Sequence, residues 1–495
     1  MKKLTLSELF EGYNDIYIPE EIDKKSYFSI SLLENDTNSG SLLFITEKVG
    51  STDQHFDTSV LKIAPGALVI SKKYTVSEKI CPEIRVGNVR EALAYAYYNT
   101  YKVDYEKIKI IGVTGTNGKT TTATLIYRIL QGCGYKAGFI GTGKIISDKS
   151  ILTADTYSMT TPDPSILYPA IKQMHDDGCE YIVMEVSSHS IALGKIAPLK
   201  FEYAIFTNLD NDHLDFHHSK EEYFNTKLKL FESSKRGLFN MDDEYSRRAC
   251  KLTDCEKSSF GIINIADAYA TEIDITFFAN AFYYRQKDLI FKAKTKLSGA
   301  FNIYNTLAAL RCVIDLGIKP CIAKKALSKV EKIDGRMEVI PGEITFVIDY
   351  AHTPGAFCSS LKTIKQGINN KQKLIVVFGC GGNRDRQKRP LFGKYAEESA
   401  DKIIITEDNS RSEDFDSIAS DITSGMTTDK HMIIKDREEA IRCAYSYALP
   451  GDVIALIGKG HERYKIIDNE YIPFDERGII EKILTETDKE YARKA

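Results

Sequence analysis

The sequence predicts an α/β protein of three domains, and three observations carry that expectation. At 495 residues the chain is too long for one hydrophobic core, and domains of roughly 150 residues make three the natural division. Short β-branched runs alternate with helical stretches, as in parallel strands joined by helices. The strand-like runs end in glycine-rich or polar loops, where open parallel sheets place their ligands.

Residues 1–98 form the first block, expected as a small α/β domain, with strand-like runs at Ser41–Thr46 and Ala67–Ser71 and an apolar helix around Val89–Tyr98. The second block, residues 99–335, opens with a strand at Ile108–Val113. It passes through a glycine-rich turn into a helix from Lys119, and strands recur at Tyr181–Val186 and Tyr203–Asn208. The third, residues 336–495, is expected to be Rossmann-like. Its strands fall at Phe346–Tyr350, Leu374–Phe378, Lys402–Thr406 and Val453–Ile457. The two larger blocks share a design without an internal sequence repeat.

Composition narrows the function. A net charge of −3 gives no reason to expect a nucleic-acid partner. The ten cysteines show no Cys-x-x-Cys pair and no metal spacing with histidine, so they read as reduced thiols. The N-terminus turns polar too soon for a signal-peptide core. No apolar run approaches the roughly 18 residues needed to span a bilayer. A cytoplasmic protein with no membrane partner is expected.

Chemistry first shows at residues 112–120, Gly-Val-Thr-Gly-Thr-Asn-Gly-Lys-Thr. A strand, a glycine turn and a helix N-terminus make a phosphate site. Backbone N–H groups point inward, the helix dipole favours an anion, and Lys119 adds a charge near the β/γ-phosphates. The hydroxyl of Thr120 is placed for Mg²⁺. Val113 stands where the strict Gly-x4-Gly-Lys-Thr pattern has its first glycine, so Gly115 tightens the turn instead. ATP alone does not choose between kinase, ATPase and ligase.

The rest of the chain does. Thr-Gly-Thr-Asn-Gly-Lys-Thr-Thr (114–121) is followed by Met-Glu-Val-Ser-Ser-His (184–189), Thr-Asn-Leu-Asp-Asn-Asp-His-Leu-Asp-Phe-His (207–217) and Phe-Asn-Ile-Tyr-Asn-Thr-Leu-Ala-Ala (301–309). Gly-Arg-Met-Glu (335–338), Asp-Tyr-Ala-His-Thr-Pro (349–354) and Gly-Lys-Gly-His-Glu (458–462) complete the series. In content and order, over almost the whole length, this resembles the Mur ligase family. Those enzymes activate a carboxylate as an acyl phosphate with ATP and then form an amide with an incoming amine.

The resemblance implies the roles. Gly115, Thr116, Asn117, Gly118, Lys119, Thr120 and Thr121 would hold the ATP phosphates, with Asn305 at the adenine, Asp349 at the ribose and Arg336 near the γ-phosphate. Thr120, Glu185 and His213 would bind Mg²⁺, two ions in all, with a CO2-derived carbamate on Lys227 as a further ligand. Without the loop and the resemblance, a lone Glu or His reads as a hydrogen-bonded structural residue. Lys229 lies roughly on another helix face and reads as a solvated charge. Lys119, Lys227 and Arg336 would carry catalysis.

Thr-Thr-Pro-Asp-Pro (160–164), Met-Glu-Val-Ser-Ser-His and Gly-Cys-Gly-Gly-Asn-Arg-Asp-Arg-Gln-Lys-Arg-Pro (379–390) match the members acting on UDP-N-acetylmuramoyl-L-alanyl-D-glutamate. The first block would then bind UDP. Asp36-Thr37-Asn38 stands where Asp-Ser-Arg is usual, keeping the hydroxyl on Thr37 and losing a charge at Asn38. Thr160, Thr161 and Ser187 would hold the sugar-peptide, with Lys195 in an arginine's usual place. The amine would be read by Arg384, Asp408, Asn409, Arg411, Gly458 and Glu462, with Glu462 accepting the distal ammonium. An arginine at 411 can grip the distal carboxylate that meso-diaminopimelate has and lysine lacks. Ser410 replaces the usual proline of Asp-Asn-Pro-Arg and frees the backbone φ there. The alternatives are a relative adding L-lysine or another amine, a folylpolyglutamate synthetase-like ligase and a non-catalytic nucleotide-binding regulator. The expected partners are small molecules and the expected state is a monomer.

Overall fold

The computed structural model describes residues 3–32, 37–46, 55–153, 159–468 and 470–494. Near the N-terminus, β1 (Leu4–Thr5), β2 (Ile16–Tyr17), β3 (Tyr27–Ser31), β4 (Ser41–Phe44), β5 (Ala67–Ser71) and β6 (Glu83–Val86) form one sheet. Their order is β1-β3-β4-β5-β6-β2. Strands β4 and β5 are buried throughout, hence their continuous apolar runs. Helix α1 (Val89–Tyr101) starts at Asn88, whose side chain accepts from Arg90 N and Glu91 N, and ends at Lys102 in the left-handed region. It runs on to Tyr101, past the expected end at Tyr98. Its buried face packs against Pro164–Asp176, with Tyr98 meeting Tyr168 edge-on at 6.3 Å. The apolar cores on either side of α1 are continuous.

Among the described residues the central sheet has eleven strands. Its parallel heart is β7 (Lys109–Thr114), β8 (Ala137–Gly141), β9 (Tyr181–Glu185), β10 (Phe201–Phe206), β11 (Ser234–Asn240) and β12 (Glu256–Gly261), in the order β8-β9-β7-β10-β11-β12. Because β7 lies between β9 and β10, the loops leaving these three strands converge at one edge. A strand pair (Lys144–Ser147, Ser150–Thr153) extends one end of the sheet, and a meander (Ala268–Ile275, Asn280–Gln286, Leu289–Thr295) extends the other. The sequence reading missed the meander, whose strands alternate buried with exposed residues rather than forming apolar runs.

The C-terminal sheet orders β13 (Glu338–Ile340), β14 (Thr345–Asp349), β15 (Leu374–Phe378), β16 (Lys402–Ile405), β17 (His431–Ile433) and β18 (Val453–Ile457) as β13-β14-β18-β15-β16-β17. All pairs are parallel except β13 with β14. Separate apolar clusters cover its two faces. A hairpin, β19 (Tyr464–Ile467) and β20 (Glu470–Pro473), follows β18. Strands β15 and β18 match the sequence expectation residue for residue, whereas the expected Tyr203–Asn208 is observed at Phe201–Phe206. Thr207 and Asn208 leave the strand because they hold the neighbouring loop.

Candidate active site

The glycine loop between β7 and helix α2 (Lys119–Gly132) is fixed by the end of β10. Thr116 N donates to Asn208 O at 2.8 Å, and Asn117 N donates to Asn208 Oδ1 at 3.0 Å. Thr207 Oγ1 donates to Asn117 O at 2.6 Å. Gly115 has φ 141°, and a Cβ there would stand 1.9 Å from Thr207 Oγ1. Gly118 has φ 85°, and its Cβ would lie 2.5 Å from Asn305 Oδ1. Val113 belongs to the buried strand, so the loop needs no glycine there.

Lys119 Nζ donates to Gly115 O and to Thr116 O, both at 2.8 Å. Its desolvation lowers the ammonium pKa, with Glu185 and Asp212 opposing. Behind it lies Lys227, on the helix Lys220–Glu232, with Nζ donating to Gly115 O at 3.0 Å and resting 4.4 Å from the Tyr223 ring centre. Lys227 is buried, and burial together with Lys119 drives its pKa well down. Lys229 is exposed, as its helix face predicts.

Thr120, Glu185 and Arg336 form a chain. Arg336 Nη2 donates to Thr120 Oγ1 at 2.9 Å, and Thr120 Oγ1 donates to Glu185 Oε2 at 2.8 Å. Glu185, fully buried, also accepts from Thr142 N at 2.9 Å. His213 Nε2 lies 3.3 Å from Asp212 Oδ2. Burial pushes its pKa down to about 3, so the imidazole is neutral and keeps a lone pair. Among the described residues no three His, Cys, Asp or Glu side chains gather into a metal cage. Adjacent hydroxyl and carboxylate oxygens at a phosphate loop suit Mg²⁺, which keeps waters and substrate phosphates as its other ligands.

Two cavities adjoin along a wall of Asn117, Gly118, Thr121, Arg336, Tyr350 and His352. The larger, about 450 Å³, is lined by Asn305 and Asp349 among others. Asn305 Nδ2 donates to Asn302 Oδ1 at 3.0 Å. Asp349 accepts from Met337 N and Ala351 N, both at 2.7 Å, so it also shapes the turn carrying Arg336. The second cavity, about 260 Å³, joins Lys119, Thr120, Glu185 and His213 to the C-terminal loops. Asp212 faces His352 at 3.8 Å and Lys388 at 3.7 Å across that junction.

Thr160 lines the same cavity and Thr161 lies behind it, its Oγ1 donating to Glu185 O at 2.9 Å. Ser187 caps the short helix Ser188–Ala192 and lies 3.3 Å from Thr161 Oγ1. Lys195 is paired with Asp163 at 2.7 Å, so its charge is already partnered. Thr37 sits apart in the N-terminal sheet region, its hydroxyl donating to Ile63 O at 3.0 Å. Asp36 lies outside the described residues.

Arg384, Asp408, Asn409, Arg411, Gly458 and Glu462 all line the smaller cavity. Arg411 adopts φ 54°, and its Nη1 donates to Gly382 O at 2.9 Å. Its backbone is paired with the hairpin, Arg411 N donating to Ile466 O at 2.9 Å. Ser410 Oγ donates to Glu407 Oε1 at 3.0 Å, which ties the loop where a proline would stiffen it. Sequence reasoning missed Lys459, which donates to Glu462 Oε2 at 3.1 Å; Tyr350 OH donates to Glu462 Oε1 at 3.3 Å. Glu462 is thus already engaged by a cation of the protein. Lys459 lay inside a motif matched as a whole, and its role shows only once burial is known.

Residues 113–313 match the Mur ligase middle domain, and residues 335–460 match the glutamate ligase domain of Mur ligases. A Clostridium acetobutylicum protein named UDP-N-acetylmuramoyl-L-alanyl-D-glutamate--2,6-diaminopimelate ligase 1 is 37% identical, covering 94% of this chain and 95% of its own. The Clostridium perfringens ligase of that name is 40% identical over 89% of this chain and 92% of its own. A solved structure of a UDP-N-acetylmuramoyl-L-alanyl-D-glutamate--2,6-diaminopimelate ligase superposes with a TM-score of 0.64 at 27% identity, covering 98% of this chain and 100% of that one. Folylpolyglutamate synthase from Mycobacterium tuberculosis shares the fold alone, with a TM-score of 0.63 at 14% identity, covering 74% and 92%.

Proposed function

The chain belongs to the Mur ligase family, and we propose that it joins meso-diaminopimelate to UDP-N-acetylmuramoyl-L-alanyl-D-glutamate, a step of peptidoglycan precursor synthesis. The reaction is coupled to ATP cleavage into ADP and phosphate. One observation carries the reading: a single cavity is lined by the phosphate-loop Lys119, by Arg336, and by Arg384, Asp408, Asn409 and Arg411. The group that drives the bond and the group that selects the amine therefore face the same space.

The substrate carboxylate attacks the γ-phosphorus, and ADP leaves. The amine then attacks the acyl carbonyl, and phosphate leaves. Such chemistry rests on positioning and charge neutralisation. Lys119 and Arg336 would bring positive charge to the phosphates, and Arg336 lies over the Tyr350 ring, its Cζ 4.5 Å from the ring centre. Asn305 and Asp349 are assigned to adenine and ribose in the larger cavity. Thr160, Thr161, Ser187 and Lys195, with Thr37 further out, are assigned to the UDP-muramoyl dipeptide. Mg²⁺, held by Thr120, Glu185, His213 and a carbamate on Lys227, supplies charge neutralisation at the phosphates when bound. Closure of the domains over ATP would assemble the site and exclude water from the acyl phosphate.

The division follows: residues 1–98 for the UDP-sugar, 99–335 for ATP and 336–495 for the amino acid. We take the enzyme to act in the cytoplasm as a monomer; among the described residues no helix is long and apolar enough to cross a membrane. A second reading, L-lysine as the acceptor, draws on Ser410 in proline's place. Against it stand two guanidinium groups, Arg384 and Arg411, lining the acceptor cavity. Phosphate release from ATP in the presence of the UDP-muramoyl dipeptide tests the assignment. Stimulation by diaminopimelate is expected, and phosphate release with lysine but not with diaminopimelate overturns it.

A further inference from the structure

We propose that Lys459 is a positioning residue of the acceptor site, clamping Asp408, Asn409 and Glu462 into the arrangement that receives an amino-acid ammonium. The inference rests on reading that cavity as the acceptor site. Lys459 is fully buried, and its Nζ donates to Asp408 Oδ1 at 3.0 Å, Asn409 Oδ1 at 2.9 Å and Glu462 Oε2 at 3.1 Å. An ammonium has three protons, so these three partners use its whole capacity. All three partners line the cavity, whereas Lys459 lies behind them and does not.

The three acceptors come from two loops, one leaving β16 and one leaving β18. Lys459 belongs to the second and ties the first to it. Its bond to Asn409 Oδ1 also orients the amide, so that Asn409 Nδ2 donates to Glu462 Oε2 at 2.9 Å while Ile466 N donates to the same Oδ1 at 3.0 Å. Asp408 and Glu462 are the carboxylates held by Lys459, and both face the cavity, where an ammonium can meet them. Burial alone would raise the Asp408 carboxyl, but Lys459, Arg437 and Arg411 outweigh it and hold the group ionised. Without Lys459, Asp408 and Glu462 lose the buried cation they share, and nothing ties the two loops together at that point. The clamp also provides order where Ser410 stands in place of the more rigid proline.

The test compares the full-length protein with Lys459→Met and Lys459→Arg. Acyl phosphate is trapped with hydroxylamine as the hydroxamate, from ATP and the UDP-muramoyl dipeptide with no amino acid present; kcat and KM for diaminopimelate are measured separately. Lys459→Met is expected to form hydroxamate within about twofold of the wild-type rate while the acceptor KM rises about tenfold or more. Lys459→Arg keeps the charge and falls between. An unchanged acceptor KM in Lys459→Met overturns the proposal, as does loss of hydroxamate in step with ligation. Should Lys459→Met fail to fold, Lys459→Arg decides: a raised acceptor KM with intact hydroxamate supports the clamp, and an unchanged KM overturns it. If the wild-type protein ligates a different amine, the choice of diaminopimelate falls, and the same comparison with that amine decides the clamp.

Discussion

Lys119 and Lys227 donate to the same carbonyl, Gly115 O, at 2.8 and 3.0 Å. Two ammonium groups on one acceptor repel each other, and the more deeply buried Lys227 loses more hydration. The structure therefore favours a neutral amine at Lys227, the form that adds to CO2.

Carbamylation is the first prediction. Protein prepared in ¹³C-bicarbonate is expected to show one carbamate carbon resonance that Lys227→Ala abolishes, together with phosphate release slowed about 10²-fold or more. An unmodified Lys227 in active, bicarbonate-replete enzyme would sink the assignment.

Gly115→Ala probes the loop. The added methyl meets Thr207 Oγ1 at 1.9 Å, at a φ of 141° that side chains avoid. A lower Tm and an ATP KM raised about tenfold are expected. A variant that binds ATP normally would show that the loop has another conformation in use.

Arg411→Met tests amine selection. The variant is expected to lose about tenfold or more of its preference for diaminopimelate over lysine, because the distal carboxylate loses a charged donor. Hydroxamate formation without amine is expected to stay unchanged. A preserved preference would assign the distal carboxylate elsewhere.

Acid stability reports on the support beneath that pocket. Arg389, buried, donates to Glu413 Oε1 and Oε2, both at 2.7 Å, and to Gly381 O at 3.2 Å. The Arg389 bond lowers the Glu413 carboxyl from 4.5 to about 2, burial opposing. A depressed carboxyl contributes stability that is present above its ordinary pKa and lost as pH falls through the folded one. Tm is therefore expected to fall between pH 4.5 and about 2, and Arg389→Met to flatten that limb. An unchanged limb would place the acid sensitivity elsewhere.

The phosphate loop was legible because its logic is local: a strand, a turn and a helix start within ten or so residues of each other. Leu374–Phe378 and Val453–Ile457 were legible because fully buried parallel strands read as unbroken apolar runs. Lys459 was not legible as a clamp. Two of its three partners, Asp408 and Asn409, come from a loop about fifty residues earlier, and nothing local marks a lysine as buried. The sequence gives Glu462 a carboxylate for an ammonium, and only the fold shows that Lys459 already donates to it. Arg411 could be chosen by type, but not its left-handed backbone, which depends on pairing with the hairpin strand Tyr464–Ile467.

The most direct measurement is a competition. The enzyme is given ATP, the UDP-muramoyl dipeptide, and equal concentrations of meso-diaminopimelate and L-lysine, and the two tripeptide products are separated and weighed by mass spectrometry. Product is expected almost entirely from diaminopimelate, in step with phosphate release. A mixture dominated by the lysine product would contradict the reading of Arg384 and Arg411 as the carboxylate grip.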